Sequence, residues 1–514
     1  MMKRILISIL FSVSCYLTVD AQRYLTEIFT NAQLTITPNQ VYANNYSFLT
    51  GSPVATDLKM DIYAPSFAAD PGTLRPLVIY LPTGSFLPPV VNGTPTGSRT
   101  DSACVAMCTQ FAKRGYVAAI ASYRLGWNPV AVLQDIRTGT LLQAVYRAVQ
   151  DAKSCVRYFY SSAANGNTYS IDTTRIIIGG QGSGGYLALA YATLDQPTEL
   201  NIPKFLADTT IINYGFFQGQ SYVQTGLWGD FDGHGGDPMY NRDSNSLGYS
   251  TKVHFIFNMG GALGDSSWLE AGDAPMVAFH VMGDPFAPFG DGPVIVPTTG
   301  QFVVDVSGSK TVITKANALG NNNCFKNAGF TDPYTLRANQ VNLGQDGLFP
   351  FEMIPPTQAG PWEWFDLQST RNYAQALGYP PSEGDSVYLH ALYTNPNMSK
   401  AKALAYIDTI QNYVNPRIVY CLGLNTGIGE NEALAYNLSA MPNPSSNDIT
   451  LQLNQVNNRI VSLAVYDITG RMMRMHDGIN STHFRIERKN IEAGIYVVRV
   501  RSEKGETSIR IIFN

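Results

Sequence analysis

The sequence predicts a doubly wound, mostly parallel α/β sheet up to about residue 425 and a small all-β sandwich from about residue 441. Three observations predict it. In the first part, apolar strands alternate with amphipathic helical periods, the pattern of βαβ units joined by right-handed crossovers. Leu77–Leu81 is apolar without a break, as a strand covered on both faces must be. From Met441 on, helical periodicity gives way to period-two alternation between turns, in Met441–Leu453, Val461–Met473 and Ile491–Phe513.

After the strand Leu77–Leu81, a helix over Ser102–Arg114 closes at Gly115, placed as a C′ glycine. Tyr116–Ser122 reads as the next strand. Leu141–Phe159 is a long helix, because Leu141, Val145, Ala148, Val149, Ala152, Cys155, Val156 and Phe159 fall on one stripe at a 3.6-residue period. Ile176–Ile178 is a strand that runs into glycines and then into an apolar helix, Tyr186–Ala192. Helices over Thr311–Leu319 and Lys400–Val414 follow. In such a sheet the ligand site lies at the carboxyl ends of the strands. Residues 295–389 form an insert late in this domain, with an aromatic cluster, Pro361-Trp362-Glu363-Trp364-Phe365. The predicted organisation is a leader at 1–21, the α/β domain at 22–425, a linker at 426–440 and the sandwich at 441–514.

Composition narrows the function classes. Charged residues make up 14% of the 514, against about 25% in an average soluble protein. Polarity comes instead from Ser, Thr, Asn, Gln and 29 tyrosines. A net charge of −4 without a Lys/Arg run argues against a nucleic-acid partner. Two basic residues in Met1–Arg4, the apolar run Ile5–Leu17 and the small residue Ala21 before Gln22 read as a secretory signal peptide. No other run reaches the roughly 18 apolar residues of a membrane span, so no integral membrane segment is expected. Cys104, Cys108, Cys155, Cys324 and Cys421 remain after the leader, allowing at most two bridges. No Cys/His spacing resembles a zinc site, and Gly229–Asp237, with Asp230, Asp232 and Asp237, reads as a polar turn rather than a calcium loop. Neither metal nor cofactor is expected.

The chemistry turns on Arg175–Ala190, RIIIGGQGSGGYLALA. A strand, a tight turn and a helix in succession give a nucleophile elbow, in which G-x-S-x-G lets the chain bend sharply and expose a serine. The frame centred on a serine, Gln181-Gly182-Ser183-Gly184-Gly185, has glutamine at its first position. The frame with both outer glycines, Gly180 to Gly184, puts Gly182 at the nucleophile position. Gly180, Gly182 and Gly185 also satisfy G-x-G-x-x-G, but this lies far into the chain and has no acidic partner strand at the dinucleotide-binding distance.

Leu58–Pro65, Arg75–Phe86, Phe111–Trp127, Ala148–Phe159 and Tyr169–Ala188 fall in the order of α/β-hydrolase esterases. Over about Asp57–Asp284 the chain resembles the secreted carboxylesterases of acetyl-xylan and feruloyl esterase type. The resemblance implies a carboxylic ester hydrolase acting on small-molecule or carbohydrate-linked esters. It assigns Ser183 as a displaced nucleophile, Asp284 as the orienting acid and His390 as the base, in the chain order Ser…Asp…His. Gly182 and Gly184 at the elbow, with Thr83 and Gly84 after the first apolar strand, would flank the oxyanion. There the family's His-Gly-Gly-Gly is replaced by Pro82-Thr83-Gly84-Ser85, which has fewer amide donors. Trp362 and Trp364 would either stack on substrate or fill a core. The other open reading is a catalytically inactive homologue that binds a surface partner, because Gly182 holds the nucleophile position.

The C-terminal part resembles the sorting domain of the type IX secretion system. The matching features are Pro442-Asn443-Pro444, Tyr466-Asp467 before Gly470-Arg471, Ala493-Gly494-Ile495-Tyr496 and Arg510. This implies the type IX machinery as a partner, and release or surface attachment in a Bacteroidetes-type bacterium.

Overall fold

β3 (Arg75–Leu81) is buried at all seven residues, which requires a partner on both edges and cover on both faces. In the computed structural model, which describes residues 23–424 and 438–514 apart from 243–244, 246–247, 297–298, 455–457, 468–470 and 504, β3 lies between two parallel strands. These are β4 (Val117–Ala121) and β5 (Ile171–Gln181). The sheet also takes in β1 (Leu34–Ser47), β2 (Val54–Pro65), β6 (Phe255–Met259), β8 (Met276–Val281) and β11 (Leu348–Phe351). Its order is β1-β2-β4-β3-β5-β6-β8-β11, with β1 and β2 antiparallel and the strands from β4 to β11 parallel. The doubly wound expectation holds, with an antiparallel ribbon added at one edge.

β4 leaves β3 in one direction and β5 in the other, so the strand order reverses at β3. The carboxyl ends of β3 and β5 therefore open a crevice, the place where ligands bind in such sheets. The crossover between β4 and β5 is a helix over Gln134–Ala164, longer at both ends than the apolar stripe predicted. Its Asp151 takes the Arg124 guanidinium at 2.8 Å and the Arg124 amide at 2.7 Å, with both side chains buried. This pair fixes the chain leaving β4, including Tyr123, above β3.

A small sheet of β7 (Ala262–Leu263), β9 (Asp291–Ile295) and β10 (Phe302–Gly308) forms in the order β7-β10-β9 beside the main one. A helix over Ser309–Ala318 follows β10. The helix Lys400–Cys421 runs past the predicted end at Val414 and carries Pro416 in its interior. Its last residue, Cys421, is bridged to Cys324, while Cys104, Cys108 and Cys155 are buried thiols. Among the described residues no helix is long and apolar enough to cross a membrane.

The chain divides into two compact units, Tyr24–Leu422 and, from Gly423, a C-terminal unit. The second contains β12 (Leu438–Met441), β13 (Ile449–Leu453), β14 (Ile460–Asp467), β15 (Met472–Ser481), β16 (His483–Ile486), β17 (Gly494–Ser502) and β18 (Gly505–Phe513). They form two antiparallel sheets, β12-β13-β16 and β15-β14-β17-β18. Tyr496, Val498 and Val500 point into the core while Arg499 and Arg501 face out, the period-two alternation of the sequence. Leu438–Met441 is already a strand of this unit, so it begins three residues before the predicted 441. The leader at 1–21, most of the linker and Gly470 lie outside the described residues.

The helix Ser183–Thr193 packs backbone against backbone on the end of β3. A Cβ at Gly184 would stand 2.0 Å from the Leu81 carbonyl oxygen. Gly184→Ala is expected to cost about 3 kcal/mol by overpacking. Gly226→Ala, where a Cβ meets nothing, is expected to change stability by under ~1 kcal/mol, and urea unfolding of the two variants checks both.

Candidate active site

The elbow is built around Gly182. At φ 52° and ψ −122° it joins β5 to the helix that starts at Ser183. This is a strained backbone conformation for any residue with a side chain. The small residues required two positions to either side are Gly180 and Gly184. A Cβ on Gly180 would meet the Leu81 oxygen and the Gly184 backbone at 2.6 Å. The frame with both outer glycines is thus the structural one, and glycine sits at its apex.

Ser183 is the first residue of the helix and is buried, with its hydroxyl 3.0 Å from the Tyr123 hydroxyl. Tyr123 also donates to the Pro82 carbonyl at 2.8 Å. A phenol has one hydrogen to give, so Ser183 donates to Tyr123 and its hydrogen is committed to the fold. The place a nucleophile would occupy above Gly182 is filled from the neighbouring loop: a Cβ on Gly182 would lie 2.1 Å from Thr83 Oγ1.

Thr83, Gly84, Gly182, Ser183, Asp284 and Glu363 all line one cavity of about 180 Å³ at the crevice. The rest of its wall is largely apolar, including Leu141, Val145, Phe205, Trp268 and Trp362. The late insert contributes through Val304 and Val306 of β10 and through the 359–365 stretch. Asp284 Oδ1 accepts the amides of Phe286 at 2.7 Å and Ala287 at 3.2 Å. Burial still pushes its carboxyl up to about 7. Glu363 is pushed up to about 8, by burial first, then by the neighbouring Asp101 and Asp284 charges. Asp101, beside them, is pushed up by burial to about 7.

The predicted triad does not assemble. His390, the expected base, lies on a helix over Pro381–Thr394 and is exposed. Ala391 and Thr394 of that helix line the cavity. A step of about 100° per residue turns the preceding side chain to another face. None of the histidines among the described residues lines the cavity. His280, on β8, is fully buried, pairs with Ser309 Oγ at 2.7 Å and the Ala287 carbonyl at 3.1 Å, and is pushed down to about 4 by burial. Asp284 is in the cavity, but without an imidazole to orient. Gly184 is spent on helix packing. Trp362 lines the cavity and is buried against Phe351, whereas Trp364 is not among the lining residues. Asp230 accepts amides of its own turn, from Asp232 and His234.

Glu363, Gln181, Tyr80 and Tyr123 escaped the sequence reading. Two signals were present: a carboxylate between two tryptophans, and a glutamine closing an apolar strand end, Ile176–Gln181, that is buried throughout. Gln181 Nε2 donates to Glu363 Oε1 at 2.8 Å, and the Tyr80 hydroxyl donates to Gln181 Oε1 at 2.7 Å.

Residues 60–214 match the BD-FAE family, and residues 439–514 match the secretion system C-terminal sorting domain. The BD-FAE match covers part of the α/β unit, and the sorting-domain match covers the C-terminal unit. The sorting domain directs type IX export to the outside of the cell or its surface. The BD-FAE match begins within β2, takes in β3 to β5 and the elbow, and stops before Asp284, Glu363 and His390. No curated relative matches the chain. Similar solved structures include an esterase of the planctomycete Thermogutta terrifontis in its native form, 15% identical over 76% of this chain and 94% of that one, TM-score 0.36. Thermogutta terrifontis esterase 2 phosphorylated by paraoxon is 17% identical over 67% and 92%, TM-score 0.33.

Folded Glu363 keeps its proton to about pH 8, while a glutamate in the unfolded chain ionises near about pH 4.3. Its contribution to stability is whole below the lower value and is lost as pH rises through the upper. The melting temperature of the α/β unit is expected to fall between pH 5 and pH 8. Glu363→Gln, which removes one titrating group, is expected to shrink that fall; calorimetry at both pH values checks it.

Proposed function

We propose that the exported α/β unit hydrolyses small esters, carbohydrate-linked ones among them, without a serine acyl-enzyme, by acid–base chemistry between Asp284 and Glu363. The observation that carries the reading is the pairing of two carboxyls with raised pKa in the cavity that holds the elbow. Such groups, poised near neutral pH in a cleft, are the usual candidates for general acid and base. Ionised Asp284 takes a proton from water as the water oxygen bonds to the acyl carbon. Protonated Glu363 gives its proton to the departing alkoxide as the ester C–O bond breaks. Asp284 then returns its proton to Glu363 through solvent, leaving a carboxylic acid and an alcohol. The Ser183 amide, in the first helical turn and so without an intrahelical acceptor, supports the developing oxyanion.

A second reading, a homologue that binds without turnover, is favoured by Gly182 at the apex. Turnover of 4-nitrophenyl acetate and labelling by a fluorophosphonate separate the two. Expected are no labelling, activity of Ser183→Ala within about threefold of the parent, and losses of about 100-fold or more in Asp284→Asn and Glu363→Gln. The rate should be bell-shaped in pH with limbs near 7 and 8, belonging to the pair as a whole. Labelling abolished by Ser183→Ala would overturn the carboxyl reading. A parent protein that binds ester but never cleaves it would select the second.

A further inference from the structure

We infer that Gln181 is a positioning residue that fixes which oxygen of Glu363 carries the exchangeable proton. Gln181 is fully buried at the end of β5, where the chain enters the elbow. Tyr80, on the adjacent β3, is also fully buried and donates to Gln181 Oε1 at 2.7 Å. With the amide this way round, Nε2 turns outward and gives its hydrogen to Glu363 Oε1 at 2.8 Å. An oxygen that already accepts an amide hydrogen does not hold its own proton in that direction, so the proton resides on Oε2. The neighbour of Oε2 is the Thr96 hydroxyl at 3.5 Å, too long to compete for it. Two residues of the sheet thus hold one oxygen of an insert carboxyl and leave the other free to exchange.

Together with the Thr96 hydroxyl, the same bond stabilises the ionised form of Glu363 and opposes the rise that burial and the Asp101 and Asp284 charges impose. The inference rests on the acid–base reading for its link to catalysis, but its test does not depend on turnover. The carboxyl of Glu363 is followed by carbon-13 NMR in glutamate-labelled protein, and its signal is identified by its loss in Glu363→Gln. In Tyr80→Phe/Gln181→Met, which removes the donor without stranding the tyrosine hydroxyl, the titration is expected to move up by about one pH unit. Gln181→Asn keeps an amide but lacks the reach, and is expected to do the same. If the protein turns over ester, the alkaline limb moves with it while KM stays within twofold. A titration unmoved in both variants overturns the inference. A titration that moves while activity is absent or indifferent retains the positioning role and counts against the acid–base reading alone.

Discussion

The contact on which the site depends is backbone on backbone, the helix Ser183–Thr193 against the carboxyl end of β3. Gly180 and Gly184 leave no room for a Cβ because the Leu81 carbonyl occupies it. That approach sets where β5 ends, where the helix begins and which residue turns the corner between them. The turn demands a positive φ, and Gly182 supplies it without steric penalty. Ser183 then has no freedom to act as the apex, because the first turn of the helix and the Tyr123 hydroxyl hold it beneath. Arg124 and Asp151 hold Tyr123 in turn, so a buried ion pair on the crossover helix reaches the elbow through one side chain. Such a pair is weak evidence for stability, but its fixed geometry is what a positioning role needs.

The electrostatics of the cavity follow from what it lacks. Asp101, Asp284 and Glu363 sit close enough for their charges to oppose one another, and no arginine or lysine lines the cavity to balance them. Burial favours the protonated form of all three, and at Glu363 the Asp101 and Asp284 charges add to it. No histidine among the described residues lines the cavity either. The buried histidine of β8 instead points to Ser309 and Ala287 and stays neutral. The cavity holds its polar chemistry in carboxyl groups that keep protons near neutral pH, an arrangement suited to proton transfer and to donors that contact ester oxygens.

The sheet was legible because its signals are local and repeated: apolar runs for β3 to β5, a 3.6-residue stripe for the crossover helix, alternation for β17. Boundaries were less so. The Gln134–Ala164 helix extends beyond its apolar stripe because Asp135 and Arg137 at its start bind loop backbone, Asp135 at Asp208 and Thr209 and Arg137 at Ala131 and Val132, which no periodicity reports. The elbow frame was legible as a choice between two registers, and close packing of the outer glycines decides it. His390 was selected by chain order and scarcity, neither of which carries information on the face of a helix. Glu363 was hidden inside an aromatic cluster, and its meeting with Gln181 spans 182 residues of chain.

Thr83 and Gly182 are best understood as one feature. With Thr83 in place, any side chain at 182 would meet its hydroxyl at the first carbon, so the loop after β3 and the apex of the elbow constrain each other. Removing the Thr83 side chain alone would open the space but leave a glycine beneath it. Adding a serine alone at 182 would meet both the positive φ and the threonine. A serine nucleophile therefore requires a change at 182, a shift of the Thr83 side chain and an imidazole brought in besides, since His390 faces outward and His280 is held by the fold. Three separate rearrangements stand between this cavity and a serine esterase. The two carboxyls that line the same cavity are the groups on which the proposed acid–base reaction is based.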